Sequence, residues 1–132
     1  MEQTLFILKP DVVKRNLIGK ILSIIETEGY TITKMKMMAM DKETASRFYS
    51  IHKEKSFFGD LITFITSSQC IACVLEKENA VGDLRKLIGE TDPLKSPPDS
   101  IRRCFGTDIQ MNGVHASDSI ENAKREISIL FG

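Results

Sequence analysis

The sequence carries no surplus of charge: Lys plus Arg and Asp plus Glu number 18 each among 132 residues. That balance excludes a global positive field for gathering nucleic acid, and it excludes an acidic tail. A site for a polyanion therefore has to be a local cluster of cations. No apolar run is long enough to span a bilayer. Met1-Glu2-Gln3 leads straight into a short apolar segment and Lys9-Pro10-Asp11, which is neither a secretory signal nor a transit peptide, and a cytoplasmic location with no membrane partner is expected. Cysteine is scarce and odd in number (Cys70, Cys73 and Cys104), which argues against a disulfide framework. Cys70 and Cys73 have C-x-x-C spacing, but their neighbours read as a strand, where residues three apart point to opposite faces. Two structural core thiols are expected there rather than a zinc pair. The chain has no internal repeat and no low-complexity tract.

What is present suits one compact domain over residues 1–132, with 42% hydrophobic residues. Thr4 to Leu8 reads as a short strand. Pro10 stands where a helix can begin, and Leu17, Ile21, Ile24 and Ile25 form one face of a helix from Val12 to Glu28, closed by Gly29. Tyr30 to Met40 reads as a strand whose alternation changes phase near Lys34, which predicts a bulge there. Its methionines are expected to fill core. Asp41 is a candidate N-cap for a helix to Ile51, and a second helix is expected over Phe57 to Thr66. Gln69 to Glu76 is nearly all apolar and reads as a central strand. Asn79 to Ile88 reads as a helix ending at Gly89. Glu90 to Ser100, with Pro93, Pro97 and Pro98, is expected to be irregular. A short strand at Val114 precedes a last helix, for which Ser117-Asp118-Ser119 offers N-caps, with Asp118 and Glu121 in capping-box spacing. This order fits an α+β fold of the ferredoxin-like, split βαβ kind: a four-stranded antiparallel sheet covered by helices.

Phosphoryl chemistry needs cations or N–H donors, a nucleophile, and something to hold the substrate. Lys9 follows a strand and precedes a helix start, where backbone N–H groups favour an anion. Arg85 follows on a later helix, while Thr91 and Arg102 bracket the proline loop. Each taken singly reads as a solvated surface residue. His115 follows a strand just before a helix N-terminus, an environment that disfavours the cationic ring and leaves a nucleophilic imidazole. Glu126, on the following helix, could orient that ring. From spacing alone, a structural histidine fits His115 equally well. His52, beside Lys53, Glu54 and Lys55, reads as solvated surface.

Asn112-Gly113-Val114-His115-Ala116-Ser117-Asp118-Ser119 resembles the active-site signature of nucleoside diphosphate kinases. Lys9-Pro10-Asp11, Phe57-Phe58, Gly89-Glu90-Thr91-Asp92-Pro93 and Ile101-Arg102 fall in the same family's order and spacing, so the resemblance covers essentially the whole chain. It implies transfer of the γ-phosphoryl of a nucleoside triphosphate to a nucleoside diphosphate, by a ping-pong route through phosphorylated His115. It further implies that Lys9, Tyr49, Arg85, Thr91, Arg102 and Asn112 surround the phosphates and sugar. Phe57 would stack on the base with Leu61 beside it, and Ser117 and Glu126 would support the histidine. Stacking accepts any base, since every base has a π-face. The resemblance implies Mg²⁺ held mainly through the nucleotide phosphates, with no dedicated protein metal site. It also implies a homo-oligomer, a tetramer in preference to a hexamer. Alternatives of another class are a non-catalytic nucleotide-binding module and a phosphocarrier serving other proteins; the neutral charge and the lack of a strand-borne aromatic pair count against RNA. Ala116 and Val12 stand where the family often has Gly, and Pro98-Asp99-Ser100 where it commonly has Pro-Gly-Thr. Activity is expected to tolerate the Ala116 methyl.

Overall fold

β1 (Glu2–Leu8) runs through the middle of the molecule, and every side chain from Thr4 to Leu8 is sealed from solvent. The computed structural model describes residues 1–108 and 111–132. Pro10 opens α1 (Pro10–Lys14), where a missing N–H removes no helical bond. The single long helix expected next is two. Asn16 takes a left-handed φ of +58°, ends α1, and turns the chain into α2 (Ile18–Thr27). Apolar spacing continues across the break, which is why the sequence alone reads as one helix. α2 closes as expected at Gly29, whose φ of +94° lets its N–H reach Glu26 O at 3.1 Å and the Tyr30 N–H reach Ile25 O at 3.3 Å.

β2 (Thr31–Met38) carries the predicted bulge at Thr33: Ile32 faces Leu75 while Lys34 faces Val74, so one partner step spans two residues. Its methionines divide: Met38 packs against the α3/α4/α7 core and Met40, just past the strand, is buried in it, whereas the other two do not fill core. Met35 and Met37 are each 54% exposed, because β2 is an edge strand and α5 and α7 pack chiefly against β1. Asp41 caps α3 (Lys42–Phe48) by accepting the Thr44 N–H at 2.7 Å. A 3₁₀ turn at Ser50–His52 leads to α4 (Phe58–Ile65), then β3 (Cys70–Lys77) and α5 (Ala80–Ile88). The proline segment is less irregular than its composition predicts. It holds a 3₁₀ turn at Pro93–Lys95, and Ser100 caps a short α6 (Ile101–Phe105) by accepting the Arg103 N–H at 3.3 Å. β4 (Val114–Ala116) and α7 (Ile120–Phe131) complete the described chain. The Asp118–Glu121 capping box does not form. Ser119 is the cap, accepting the Asn122 N–H at 3.1 Å, while Asp118 accepts from the Asn122 side chain at 2.6 Å.

The strands lie in the order β2-β3-β1-β4, every neighbouring pair antiparallel, which is the ferredoxin-like α+β arrangement expected. Alternation along β1 and β3 divides the core in two. Phe6, Leu8, Cys73 and Leu75 face α1, α2 and α5; Leu5, Ile7, Cys70 and Ala72 face α3, α4 and α7. Cys70 and Cys73 thus sit in opposite cores as core thiols, with burial pushing them up to about 11 and about 12. Among the described residues, no helix is long and apolar enough to cross a membrane.

Candidate active site

The same alternation decides where His115 points. On β4, Val114 and Ala116 join the α1/α2/α5 core, so His115, paired with Ile7 of β1, turns to the other face, towards α3 and α7. There its ring meets Phe48 edge-on at 5.0 Å between centroids and Tyr49 at 6.2 Å. Its Nε2 lies 2.9 Å from Glu126 Oε1 on α7, and the Ser117 hydroxyl donates to that same oxygen at 2.6 Å. Burial alone would push the Glu126 carboxyl up. The hydrogen bond and charge of His115, the Ser117 hydroxyl and the Arg125 charge outweigh it and hold the group below the usual carboxylate value. An ionised carboxylate can only accept, so the proton sits on Nε2. In the neutral ring the lone pair is then on Nδ1, which has no hydrogen-bond partner among the described residues. The tautomer, which spacing left open, follows from this contact.

Three cations gather on the same side. Lys9 ends β1 and starts α1, its N–H donating to Gly113 O at 2.9 Å and its ammonium to Asn112 Oδ1 at 2.9 Å. The Asn112 amide donates on to Thr91 O at 3.0 Å, so one side chain ties the strand end to the proline loop. Arg102, on α6, donates to Gly89 O at 3.2 Å and Val114 O at 3.1 Å. Arg85, on α5, donates to Ala116 O at 3.3 Å. Lys9 and Arg102 are only 6% and 5% exposed, so neither is the solvated surface residue that single positions predict. Arg85 and Thr91 are exposed. Burial and the neighbouring Arg102 push Lys9 down to about 8, against the opposing pull of Asp11. Burial and Arg85 push Arg102 down to about 10, against Glu90 and Tyr49. Cations that depress one another in a buried site are arranged to receive an anion.

These groups open onto one cavity of about 620 Å³. Phe57, 46% exposed at the N-terminus of α4, stands at its mouth with Leu61 one turn further on. Tyr49 forms part of the wall; its buried hydroxyl has no partner among the described residues, and burial pushes it well above its ordinary value. Of the eleven residues the sequence singles out, Ser117 alone lies off the cavity wall, behind His115. Four wall residues escaped the sequence reading: Ile51, His52, Lys55 and Asp118. His52 does not stand in solvent as its charged run predicts. It is half-buried rather than solvated, packs 5.7 Å from the Phe57 ring, and its Nδ1 is sealed without a partner among the described residues. Burial lowers its pKa, as do Lys55 and His115, with Asp118 opposing. Its place between Tyr49 and Phe57 was the available signal.

Neither Ala116 nor Val12 strains the backbone. Ala116 is extended in β4 opposite Phe6, and neither it nor Val12 has a positive φ. Among the described residues, no group of three or more His, Cys, Asp or Glu side chains is arranged to hold a metal ion.

The model of the nucleoside diphosphate kinase family matches residues 2–132. The chain belongs to the nucleoside diphosphate kinase family, and it is an enzyme of the phosphotransferase class. Among similar proteins, the nucleoside diphosphate kinase of Campylobacter hominis is 50% identical over 131 residues, covering 99% of this chain and 96% of that one. That of Nitratiruptor sp. is 48% identical over 131 residues, with the same coverage. The crystal structure of the Aquifex aeolicus nucleoside diphosphate kinase superposes with a TM-score of 0.97 at 43% identity, covering 99% of this chain and 95% of that one. The enzyme's likeness to the Encephalitozoon cuniculi structure is as close in shape, with a TM-score of 0.98 at 34% identity over 100% of this chain and 90% of that one.

Proposed function

We propose that the enzyme moves the γ-phosphoryl of a nucleoside triphosphate to a nucleoside diphosphate through His115 Nδ1. The observation that carries this reading is the 2.9 Å contact between His115 Nε2 and Glu126, which commits one ring nitrogen and frees the other. In the first half-reaction the Nδ1 lone pair attacks the γ-phosphorus, the bond to the β,γ-bridging oxygen breaks, and the diphosphate leaves with that electron pair. In the second, a terminal β-phosphate oxygen of the incoming diphosphate attacks the same phosphorus, and the N–P pair returns to the ring. Glu126 balances the positive charge that the ring gains, and Ser117 holds Glu126 in place. Lys9, Arg85 and Arg102 meet the charge of the phosphates, with Tyr49, Thr91 and Asn112 around them. Phe57 supplies an apolar face for the base, beside Leu61.

Mg²⁺ fits as an ion carried in by the phosphates. The carboxylates in the cavity wall are Asp118 and Glu126, and Glu126 is already committed to His115 and Ser117. Bound there, the ion would neutralise phosphate charge. Residues 1–132 act as one domain in this reading. The reading includes assembly into a homo-oligomer, a tetramer in preference to a hexamer; the exposed Met35 and Met37 on the β2 edge support an interface there, whatever its copy number. A cytoplasmic location suits three free thiols.

Incubation with γ-labelled ATP and Mg²⁺, without acceptor, tests the reading. Acid-labile, alkali-stable label on the protein is expected, absent from His115→Ala, and chased off by a nucleoside diphosphate. Label that no diphosphate removes would leave a phosphocarrier instead.

A further inference from the structure

One arginine touches both supports of the His115 ring without reaching the cavity. Arg125 lies on α7, one residue before Glu126, and is not part of the cavity wall. Its guanidinium donates to Arg47 O and Phe48 O, each at 3.1 Å. These carbonyls stand at the C-terminal end of α3, where carbonyls lack helical partners and favour a cation. The same guanidinium lies 3.9 Å from Glu126 Oε2, while the other oxygen, Oε1, holds His115 Nε2 at 2.9 Å. Phe48, whose carbonyl is gripped, puts its ring 5.0 Å from the His115 ring, and Tyr49 follows at 6.2 Å. The imidazole is therefore held from behind by a carboxylate and from the side by aromatic rings, and one side chain fixes both against each other.

We propose that Arg125 is a positioning residue for phosphoryl transfer, locking α3 to α7 so that Phe48 and Glu126 hold the His115 ring in its reactive orientation. This rests on the reading of His115 given above. Arg125 touches no substrate and acts through two intermediaries. Through Phe48 and Tyr49 it sets the angle of the ring, and a nucleophile displaced by even a fraction of an ångström loses rate steeply. Through its charge it favours the ionised form of Glu126. The groups facing that carboxylate are His115 from β4, Ser117 from the turn after it, Tyr49 from the end of α3, and Arg125 from its own helix. Of these, Arg125 is the standing positive charge.

Two variants separate positioning from bulk stability. Arg125→Gln removes the charge and the fork. Arg125→Lys keeps a cation beside Glu126, yet one ammonium is poorly shaped to bridge two carbonyls. Single-turnover phosphorylation of the enzyme by Mg·ATP and steady-state kinetics are followed across pH. For Arg125→Gln, kcat should fall roughly 10-fold with nucleotide KM within about twofold, the split expected when a transition-state arrangement rather than binding is lost. The acid limb of its rate profile should move to higher pH, because Glu126 protonates more readily without its neighbour. Arg125→Lys should leave that limb in place and still lose kcat severalfold.

A folded Arg125→Gln with the wild-type rate and limb overturns the proposal. So does a loss of rate with an unmoved limb, which a purely structural role would give. If Arg125→Gln does not fold, Arg125→Lys decides, and wild-type kcat there overturns it. His115→Ala in the same assay keeps the two claims apart. Label on His115→Ala removes the histidine reading, whereas an unlabelled His115→Ala beside a fully active Arg125→Gln removes only the role of Arg125.

Discussion

The Lys9 ammonium donates to Asn112 Oδ1 at 2.9 Å, in a position where burial and Arg102 press its proton affinity down to about 8. A bound polyphosphate adds negative charge beside it and pulls that affinity back up. Nucleotide binding above about pH 8 should therefore take up a proton, and calorimetry in buffers of different ionisation enthalpy reads that uptake directly. Lys9→Met should abolish most of the buffer dependence; equal enthalpies in every buffer would contradict the assignment. The free enzyme follows the opposite linkage. A lysine lowered from 10.5 to about 8 on folding penalises the folded state below about pH 8, and that penalty is relieved as pH rises towards 10.5.

Gly113 turns the chain into β4 with a φ of +90°, and a Cβ there would meet Val12 Cγ1 at 3.2 Å. Val12 is a fully buried core residue with little freedom to yield. Gly113→Ala should cost about 1–3 kcal/mol of stability through backbone strain, measured by denaturant unfolding. Val12→Ala removes the contact at its own cost in core packing, so the double variant should remain less stable than Val12→Ala alone. Equal stability of the double variant and Val12→Ala would place the Gly113→Ala cost in packing alone.

Phe57 offers a half-open ring flanked by His52 at 5.7 Å and by the Lys55 ammonium at 5.6 Å from the ring centroid. Phe57→Ala should weaken nucleotide binding by about 1–3 kcal/mol, with similar losses for purines and pyrimidines. Titration with four different nucleoside diphosphates checks both parts. An effect confined to one base would mean that the platform reads base edges.

Most of this fold was legible because its signals are local. The Gly29 closure, the phase change near Lys34 and the Asp41 cap each depend on a few neighbouring residues. The errors arise where a distant part of the chain decides. Asn16 breaks a helix whose apolar spacing continues unbroken, and no window on the sequence reports its φ. Met35 and Met37 look like core until the strand order leaves β2 at an edge. α6 was hidden by the prolines before it, although Ser100 offered a cap. At the site, the family-like motifs picked out ten residues that line the cavity, together with Ser117 behind it. Periodicity and spacing alone could not have assembled them, since Lys9 and Asn112 lie 103 positions apart. His52 was lost because a charged run reads as solvent-facing, and only the 3₁₀ turn at Ser50–His52 directs it inward.

The proposed reaction turns on which ring nitrogen of His115 carries the phosphoryl group. Enzyme labelled with ¹⁵N in its histidines, phosphorylated by Mg·ATP and observed by ¹⁵N–³¹P NMR, answers that directly. Phosphorus coupled to Nδ1 of His115, with Nε2 still protonated against Glu126, is the predicted result; phosphorus on Nε2, or on no nitrogen of His115, would contradict it.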